Sequence, residues 1–211
     1  RREKLKRKGG RKEMERTAKV LAVLMAVVMM LAVQQSYAAS ESGDPVNVKV
    51  TVTLSAALSV YVGENTYNFG TLSANATSVS VSSIAVINDS GGLTEKWDLS
   101  GSVTTTTNPA TLLTTWDGSS DLSADQIALQ ALFNSVQPAE TSFQDAKHTL
   151  GAAKTYDDTN DYFKGDESAD NTSTGAINNT SERHLWLRIK MPPSLTNTSQ
   201  TLTVTIDAGT L

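Results

Sequence analysis

The chain has 211 residues, no cysteine, and 18 basic against 22 acidic side chains, for a net charge of −4. The absence of cysteine excludes disulfides, thiolate metal sites and a cysteine-linked lipid anchor. Ten of the basic but only three of the acidic residues fall in positions 1–38, so positions 39–211 carry eight basic and nineteen acidic residues. Because so acidic a segment is repelled by nucleic acid and by anionic membranes, we expect neither as a partner.

Residues 1–38 have the features of a signal peptide. The apolar run "VLAVLMAVVMMLAV" follows a basic region, and small residues precede a cleavage site that we place after Ala38. The run is shorter than the roughly 20 apolar residues of a membrane span, so we expect no stable span after cleavage, with an uncleaved anchor as the alternative. Residues 1–13 can lie upstream of a true start at Met14. The sequence thus predicts secretion to the extracellular space or cell surface, with residues 39–211 as a single domain.

The stretch "VNVKVTVTLSAALSVYV", residues 46–62, alternates apolar and polar side chains over 17 positions. This pattern predicts a β-strand well beyond the usual length of about 5–6 residues, with a weak point at the small residues 55–57 where the chain can bend. Two interpretations stay open: a kinked first strand shared by two sheets, or a detachable strand that completes the sheet of a second copy. The second interpretation has four candidate self-association residues: Val46, Val48, Val50 and Val52.

Further alternating segments predict an all-β fold. "ATSVSVSSIAVIND" is predicted as a strand with a β-bulge at Ser82-Ser83, and "LTEKWDLSGSV" as a strand with Trp97 facing inward. "HLWLRIKM" and "QTLTVTIDA" predict two more strands near the C-terminus. Turn signals separate these segments, so we predict an immunoglobulin-like antiparallel β-sandwich of seven or eight strands with one short helix in a long connection.

The connection before the last two strands contains the predicted helix. In "SADQIALQALFNSV", residues 123–136, Ser123 and Gln126 match a capping box, and apolar residues recur at helical spacing. We expect this helix to cover Trp186, which is out of phase with its apolar neighbours. Residues 144–182 are rich in Asp, Asn, Ser and Gly, which predicts a long polar surface loop.

Two segments resemble known secreted proteins. "YNFGTLSANATSVSVSSIAVINDSGG" resembles secreted immunoglobulin-like domains and the related abnormal-spindle/hydin type, in which a turn after the first strand leads into a valine-rich strand. "LQALFNS" and the later "ERHLWLRIKMPPSLTNTSQTLTVTIDA" are similar to the C-terminal half of uncharacterised secreted bacterial β-sandwich proteins. The resemblance covers about half of the predicted mature chain. It implies the fold and secretion, and it implies no active site.

Residues suited to catalysis or metal binding do not form a recognisable motif. The two histidines, His148 and His184, stand outside an HExxH motif, and the sequence has no GxSxG elbow, so we expect no enzyme and no cofactor. The stretch "YDDTNDYFKGDESADN" offers oxygen ligands of the kind calcium prefers, but Tyr162 occupies a ligand position of the EF-hand spacing. We favour a solvated loop and predict no metal. The calcium candidates are Asp157, Asp158, Asp161, Asp166 and Asp170.

Two functions remain open from the sequence. The first hypothesis is a secreted, non-catalytic structural or cell-surface protein that self-associates, or joins other surface subunits, through its N-terminal strand. The alternative is a carbohydrate-binding or adhesive module, in which exposed aromatic rings stack on a glycan. The candidate rings are Trp116, Tyr156 and Tyr162, and packing in the core is the competing interpretation for each of them.

Overall fold

Two six-stranded sheets pack face to face and bury one continuous hydrophobic core, in which residues of both sheets take part. The structure, a computed structural model, describes residues 46–56, 60–116, 121–156, 160–170 and 175–210. The predicted signal peptide lies outside these ranges. Within them, no helix is long and apolar enough to cross a membrane. The all-β sandwich that the sequence predicts is confirmed.

The strands are more numerous than the sequence predicts, with twelve among the described residues. In chain order they are β1 Val46–Ala56, β2 Val60–Val62, β3 Thr66–Leu72, β4 Thr77–Val79, β5 Ile84–Asn88, β6 Glu95–Val103, β7 Thr111–Leu112, β8 Gln126–Phe133, β9 Lys154–Thr155, β10 Ala176–Ile177, β11 Glu182–Lys190 and β12 Ser199–Thr210. A 3₁₀ turn spans Glu140–Ser142, and the short helix α1 spans Asp145–His148.

The two sheets are mixed rather than purely antiparallel. Sheet 1 has the order β10–β6–β12–β1–β3, with β9 also beside β6, and sheet 2 has the order β2–β5–β11–β8–β7, with β4 also beside β11. The pairs β1–β12 and β7–β8 are parallel, and the other pairs are antiparallel. The parallel β1–β12 pair places the first described strand beside the last, in the middle of sheet 1.

The long alternating stretch is divided between the two sheets. β1 belongs to sheet 1 and β2 to sheet 2, with only residues 57–59 between them. The change of sheet therefore falls next to the small residues 55–57, where the sequence predicts a bend. The interpretation as a kinked first strand shared by both sheets is confirmed.

The helix predicted at residues 123–136 is wrong, because this segment forms β8. Four alternate side chains of β8 face the core between the sheets, while Ala128 and Leu132 on the other face are covered by loops. A strand buried on both faces lacks polar alternation, and its apolar residues matched helical spacing by chance. The capping-box pair does interact, since the Ser123 amide donates to Gln126 Oε1 at 3.0 Å, but it closes a turn before the strand.

The polar segment 144–182 is not a solvated excursion where it is described. It contributes α1, β9 and β10, and it buries His148, Leu150, Tyr156, Phe163, Ala169 and Ile177. We call residues 149–156 the edge-covering segment, because they bind the edges of both sheets. The Leu150 amide donates to the Leu129 carbonyl of β8, and the Leu150 carbonyl accepts from the Gly101 amide of β6. This segment closes one side of the sandwich and protects two strand edges from pairing with other chains.

The outer face of sheet 2 is covered by the chain itself. Trp186 packs against Leu132 and Phe143, so the segment after β8, rather than a helix, covers this ring. Trp116 covers a neighbouring part of the same face, where the Arg188 guanidinium lies 4.8 Å from its ring centre. The outer face of sheet 1 instead carries polar side chains such as those of Lys49, Thr53 and Thr205.

Candidate functional site: the slot of the first strand

β1 fills a groove between β12 and β3, which we call the strand slot. It pairs in parallel with β12 from Asn47↔Ser199 to Ala56↔Ala208, and antiparallel with β3 from Val46↔Leu72 to Thr51↔Thr66. Both flanking strands thus supply backbone hydrogen bonds to β1. A central strand with two partners is held far more firmly than an edge strand.

The four valines predicted as strand-donor residues face the core of their own chain. The exposed fractions of their side chains are 4% for Val46, 0% for Val48, 0% for Val50 and 2% for Val52. Burying one valine contributes roughly 1.5–3 kcal/mol, so the four together make β1 a large part of the core. The slot is therefore filled within the chain, and a second copy can enter it only if β1 leaves.

The N-terminal end of the slot is closed by polar contacts. The Asn47 amide donates to the Thr198 carbonyl at 2.9 Å. Gln200, which lies opposite Val48, is buried and accepts a hydrogen bond from the Ala110 amide at 3.2 Å. The buried valines fix the register of β1, because a shift by one residue would point them toward solvent.

The "YNFG" motif, where the resemblance implies a turn after the first strand, forms a bulge in β3. Phe69 is the extra residue, since Val48 pairs with Gly70 and Lys49 with Asn68. Gly70 has φ +68°, which glycine adopts without steric cost, and its amide donates to Asn68 Oδ1 at 2.8 Å. A bulge twists an edge strand and disfavours pairing with another chain. The outer edge of β3 is therefore a poorer docking place than the strand slot.

The C-terminal end of β1 is held more loosely than the rest. Beyond Thr51 its pairing continues with β12, while on the β3 side the Val52 amide donates to the Asn65 carbonyl at 2.7 Å. Leu54 and Tyr61, on either side of the crossing, are 38% and 55% exposed. A cleft of about 430 Å³ lies here, lined by Val52, Thr53, Leu54, Val60, Tyr61, Val62 and Asn65. Separation of β1 from its sheet would begin most easily at this end.

The predicted glycan platform does not form. Trp116 is 5% exposed beneath the loop that carries Leu122, and Tyr156 is fully buried, 4.5 Å from the Phe133 ring between centroids. Tyr162 is half-buried against the core, with Lys154 Nζ 5.7 Å from its ring centre. Stacking on a sugar needs an exposed ring face, so Trp116 and Tyr156 are packing residues.

The described acidic side chains of the calcium candidates bind different partners. Asp161 lies 2.7 Å from Lys147 Nζ, and this hydrogen bond and charge lower the pKa of Asp161. Asp166 accepts from the amide and hydroxyl of Ser135, and Asp170 lies 2.8 Å from Arg183. Asp157 and Asp158 lie outside the described residues. Within the described ranges, no cluster of three or more acidic or histidine side chains could hold a metal ion.

Two buried ionisable groups escape recognition in the sequence. Glu95 on β6 is fully buried; its Oε2 accepts from Trp97 Nε1 at 3.0 Å, while Oε1 has no hydrogen-bond partner among the described residues. Burial raises the pKa of Glu95. His148 at the end of α1 is also buried. Glu95 is in phase with the apolar residues Trp97 and Leu99 of its strand, and this spacing was the available signal for its burial. No local pattern indicates the burial of His148.

The second histidine lies in a more exposed setting. His184 Nδ1 is 2.8 Å from Glu167 Oε1, and its Nε2 is 3.4 Å from Glu182 Oε1. The same Glu167 carboxylate accepts from the His184 amide at 2.6 Å. These contacts tie the start of β11 to the segment before β10, which is a structural role.

No protein-family model matches this chain, and no curated protein is similar to it at a significant level. The resemblance to secreted immunoglobulin-like domains stays a prediction.

Proposed function

We propose that this protein is a secreted, non-catalytic structural subunit that associates with further copies of itself by exchanging β1. In the exchanged form, β1 of one copy occupies the strand slot of the next. Secretion rests on the features of residues 1–38. The observation that carries the proposal is the burial of the four valines between β12 and β3, in a strand joined to β2 by a short crossing.

Exchange conserves the contacts of the folded chain. A second copy's β1 would make the same parallel pairing with β12 and the same antiparallel pairing with β3 as the chain's own strand. Such swapping of identical elements is a low-cost route to association, and short hinges favour it. With only residues 57–59 between β1 and β2, the hinge is short.

Other routes for association through sheet edges are less favourable in the described residues. The edges of β6 and β8 are covered by residues 149–156, β3 carries a bulge, and β2 and β4 are three residues each. Short and bulged edges disfavour strand addition. The glycan-binding alternative gains no support from Trp116 or Tyr156, because both rings are buried.

A reversible disulfide between β1 and β12 tests this function. The chain has no cysteine, so the substitutions Thr53→Cys and Thr205→Cys would introduce its only thiols, at positions that are opposite in the β1–β12 register. Oxidation of dilute monomer should fix β1 in its own slot. On concentration, light scattering should then show monomer, and added reductant should restore the multimers of the wild type.

The matched control carries its thiols on two strands that do not exchange. Thr205→Cys with Ser100→Cys joins β12 to β6, again opposite in register. Oxidation of this control should leave association unchanged. Association of the oxidised Thr53/Thr205 variant at the wild-type level would refute strand exchange, as would a wild type that stays monomeric at every concentration.

A further inference from the structure

His148 connects a titratable group to the closed side of the sandwich. It is the last residue of α1, and Thr149 and Leu150 follow it directly. Thr149 forms a bridge with Gln130 of β8, and Leu150 hydrogen-bonds with both β8 and β6. Any displacement of His148 therefore also displaces Thr149 and Leu150, the first two residues of the edge-covering segment.

The hydrogen bond between the Gln144 amide and His148 requires a neutral imidazole. The ring is 1% exposed, and the Gln144 amide donates to its Nδ1 at 2.8 Å, which assigns the proton to Nε2. His148 Nε2 has no hydrogen bond of ordinary length among the described residues. A protonated imidazole carries a hydrogen on both nitrogens, so it can no longer accept from the Gln144 amide.

The charges of the described side chains around His148 are mainly positive. Lys147 lies on α1, Lys154 on β9, and Asp161 with Lys164 on the turn that packs against the ring. Among the described side chains around His148, the one carboxylate, that of Asp161, is already 2.7 Å from Lys147 Nζ and 3.7 Å from Lys164 Nζ. Lys154 Nζ donates to the Ala146 and Thr149 carbonyls, which holds its charge beside the ring.

Burial is the main reason that the pKa of His148 falls to about 4, and the charges of Lys147 and Lys154 lower it further. The backbone of Lys164 and Asp161 acts in the opposite direction, since it favours the protonated form. The geometry and the charges therefore agree that protonation of His148 disfavours the closed position of α1.

We propose that His148 makes the edge-covering segment an acid-sensitive latch, whose protonation releases α1 and residues 149–150 from β8 and β6 while the strand slot stays intact. In the released form the imidazole is solvated and titrates near its ordinary value of about 6.5. Between that pH and about 4, the released form binds a proton that the closed form does not, so acidification favours release. Across this window the opening equilibrium shifts by up to roughly 300-fold.

Release would have a defined structural consequence. The Leu129 carbonyl and the Gly101 amide would lose their partner in Leu150, and the edges of β8 and β6 would become available. Uncovered strand edges are templates for pairing with other chains. Acid would thus open a second association surface, on the side of the sandwich away from β3.

Hydrogen exchange of the full chain between pH 7 and 4.5 tests the latch. After correction for intrinsic rates, protection of the Leu150 and Gly101 amides should fall by up to tenfold per pH unit below about 6.5, while the amides of β1 keep theirs. His148→Asn supplies an acceptor oxygen for the Gln144 amide and does not titrate. In this variant, protection of the Leu150 and Gly101 amides should therefore be independent of pH. His184→Asn, at the only other histidine, should keep the wild-type dependence.

Protection of Leu150 that does not change with pH in the wild type would overturn the latch. So would a pH dependence that persists in His148→Asn. Should His148→Asn fail to fold, an NMR titration of the two wild-type histidines decides: a His148 midpoint near 4 supports the latch, and a midpoint near 6.5 refutes it.

Discussion

Thr53 of β1 and Thr205 of β12 lie side by side on the outer face of sheet 1, with their hydroxyls 3.3 Å apart. They are 152 residues apart in the sequence, and their contact exists because β1 runs parallel to β12. The contact reports directly on the position of β1. It persists within one chain when β1 fills its own slot, and it joins two chains when β1 is exchanged.

Truncation of a slot valine should weaken the fold markedly. Val50→Ala leaves a cavity in the core that faces β1, because the side chain is fully buried. We expect a loss of about 1.5–3 kcal/mol in the free energy of unfolding. Urea denaturation measures it, with Thr51→Ala on the outer face as the control, expected within about 0.5 kcal/mol of wild type. Equal effects of the two substitutions would mean that β1 is not packed in the slot.

Replacement of the buried carboxyl of Glu95 should stabilise the protein at neutral pH. The pKa of Glu95 is raised in the folded state, so its contribution to stability is fully present below the ordinary pKa of 4.5 and is lost as the pH rises through the folded value. Glu95→Gln keeps an acceptor oxygen for Trp97 Nε1 and has no charge to bury. We expect a gain of about 1–3 kcal/mol at pH 8 and a smaller difference at pH 4.5.

The control for Glu95→Gln is Glu64→Gln, at an exposed position after β2. Its effect should stay within about 0.5 kcal/mol at both pH values. Urea unfolding of the three proteins at pH 4.5 and pH 8 gives the comparison. A Glu95→Gln variant less stable than wild type at pH 8 would mean that the carboxylate has a favourable partner.

A methyl group at Gly101 should disturb the closed side of the sandwich. A Cβ at this position of β6 would lie 2.9 Å from Leu112 Cδ2 and 3.0 Å from the Leu150 backbone oxygen. Because Leu150 cannot move without breaking its contact with β8, we expect Gly101→Ala to lower the free energy of unfolding by about 1–3 kcal/mol. Thermal unfolding measures the loss. Gly209→Ala is the matched control, since no atom lies within 4 Å of a Cβ there. A melting temperature equal to that of wild type would contradict the close approach of Leu150.

The buried face of the first strand and its bend could be predicted, because both are indicated by the local sequence. Alternation defines the buried face that carries Val48 and Val50, and small residues mark the crossing into sheet 2. The partners of β1 could not be predicted in the same way. A parallel pairing of Asn47 with Ser199 depends on contacts between distant parts of the chain, and no local pattern encodes it.

The errors in the sequence-based prediction also have a common physical cause. β8 resembled a helix because loops that carry Trp116 and Phe143 bury its second face. Tyr156 seemed available for a ligand because its segment is polar, yet that segment is drawn onto β6, where the Tyr156 amide donates to the Trp97 carbonyl. In each case a tertiary contact, and not the local sequence, sets the burial.

The most direct measurement of strand exchange is the mass of the covalent species formed by Thr53→Cys with Thr205→Cys. The variant is concentrated in reductant, oxidised in that state and denatured without reductant before its mass is determined. Exchange of β1 predicts covalent multimers, with the Ser100→Cys and Thr205→Cys control giving covalent monomers only. Covalent monomers alone from both variants would show that β1 stays in its own slot and would contradict strand exchange.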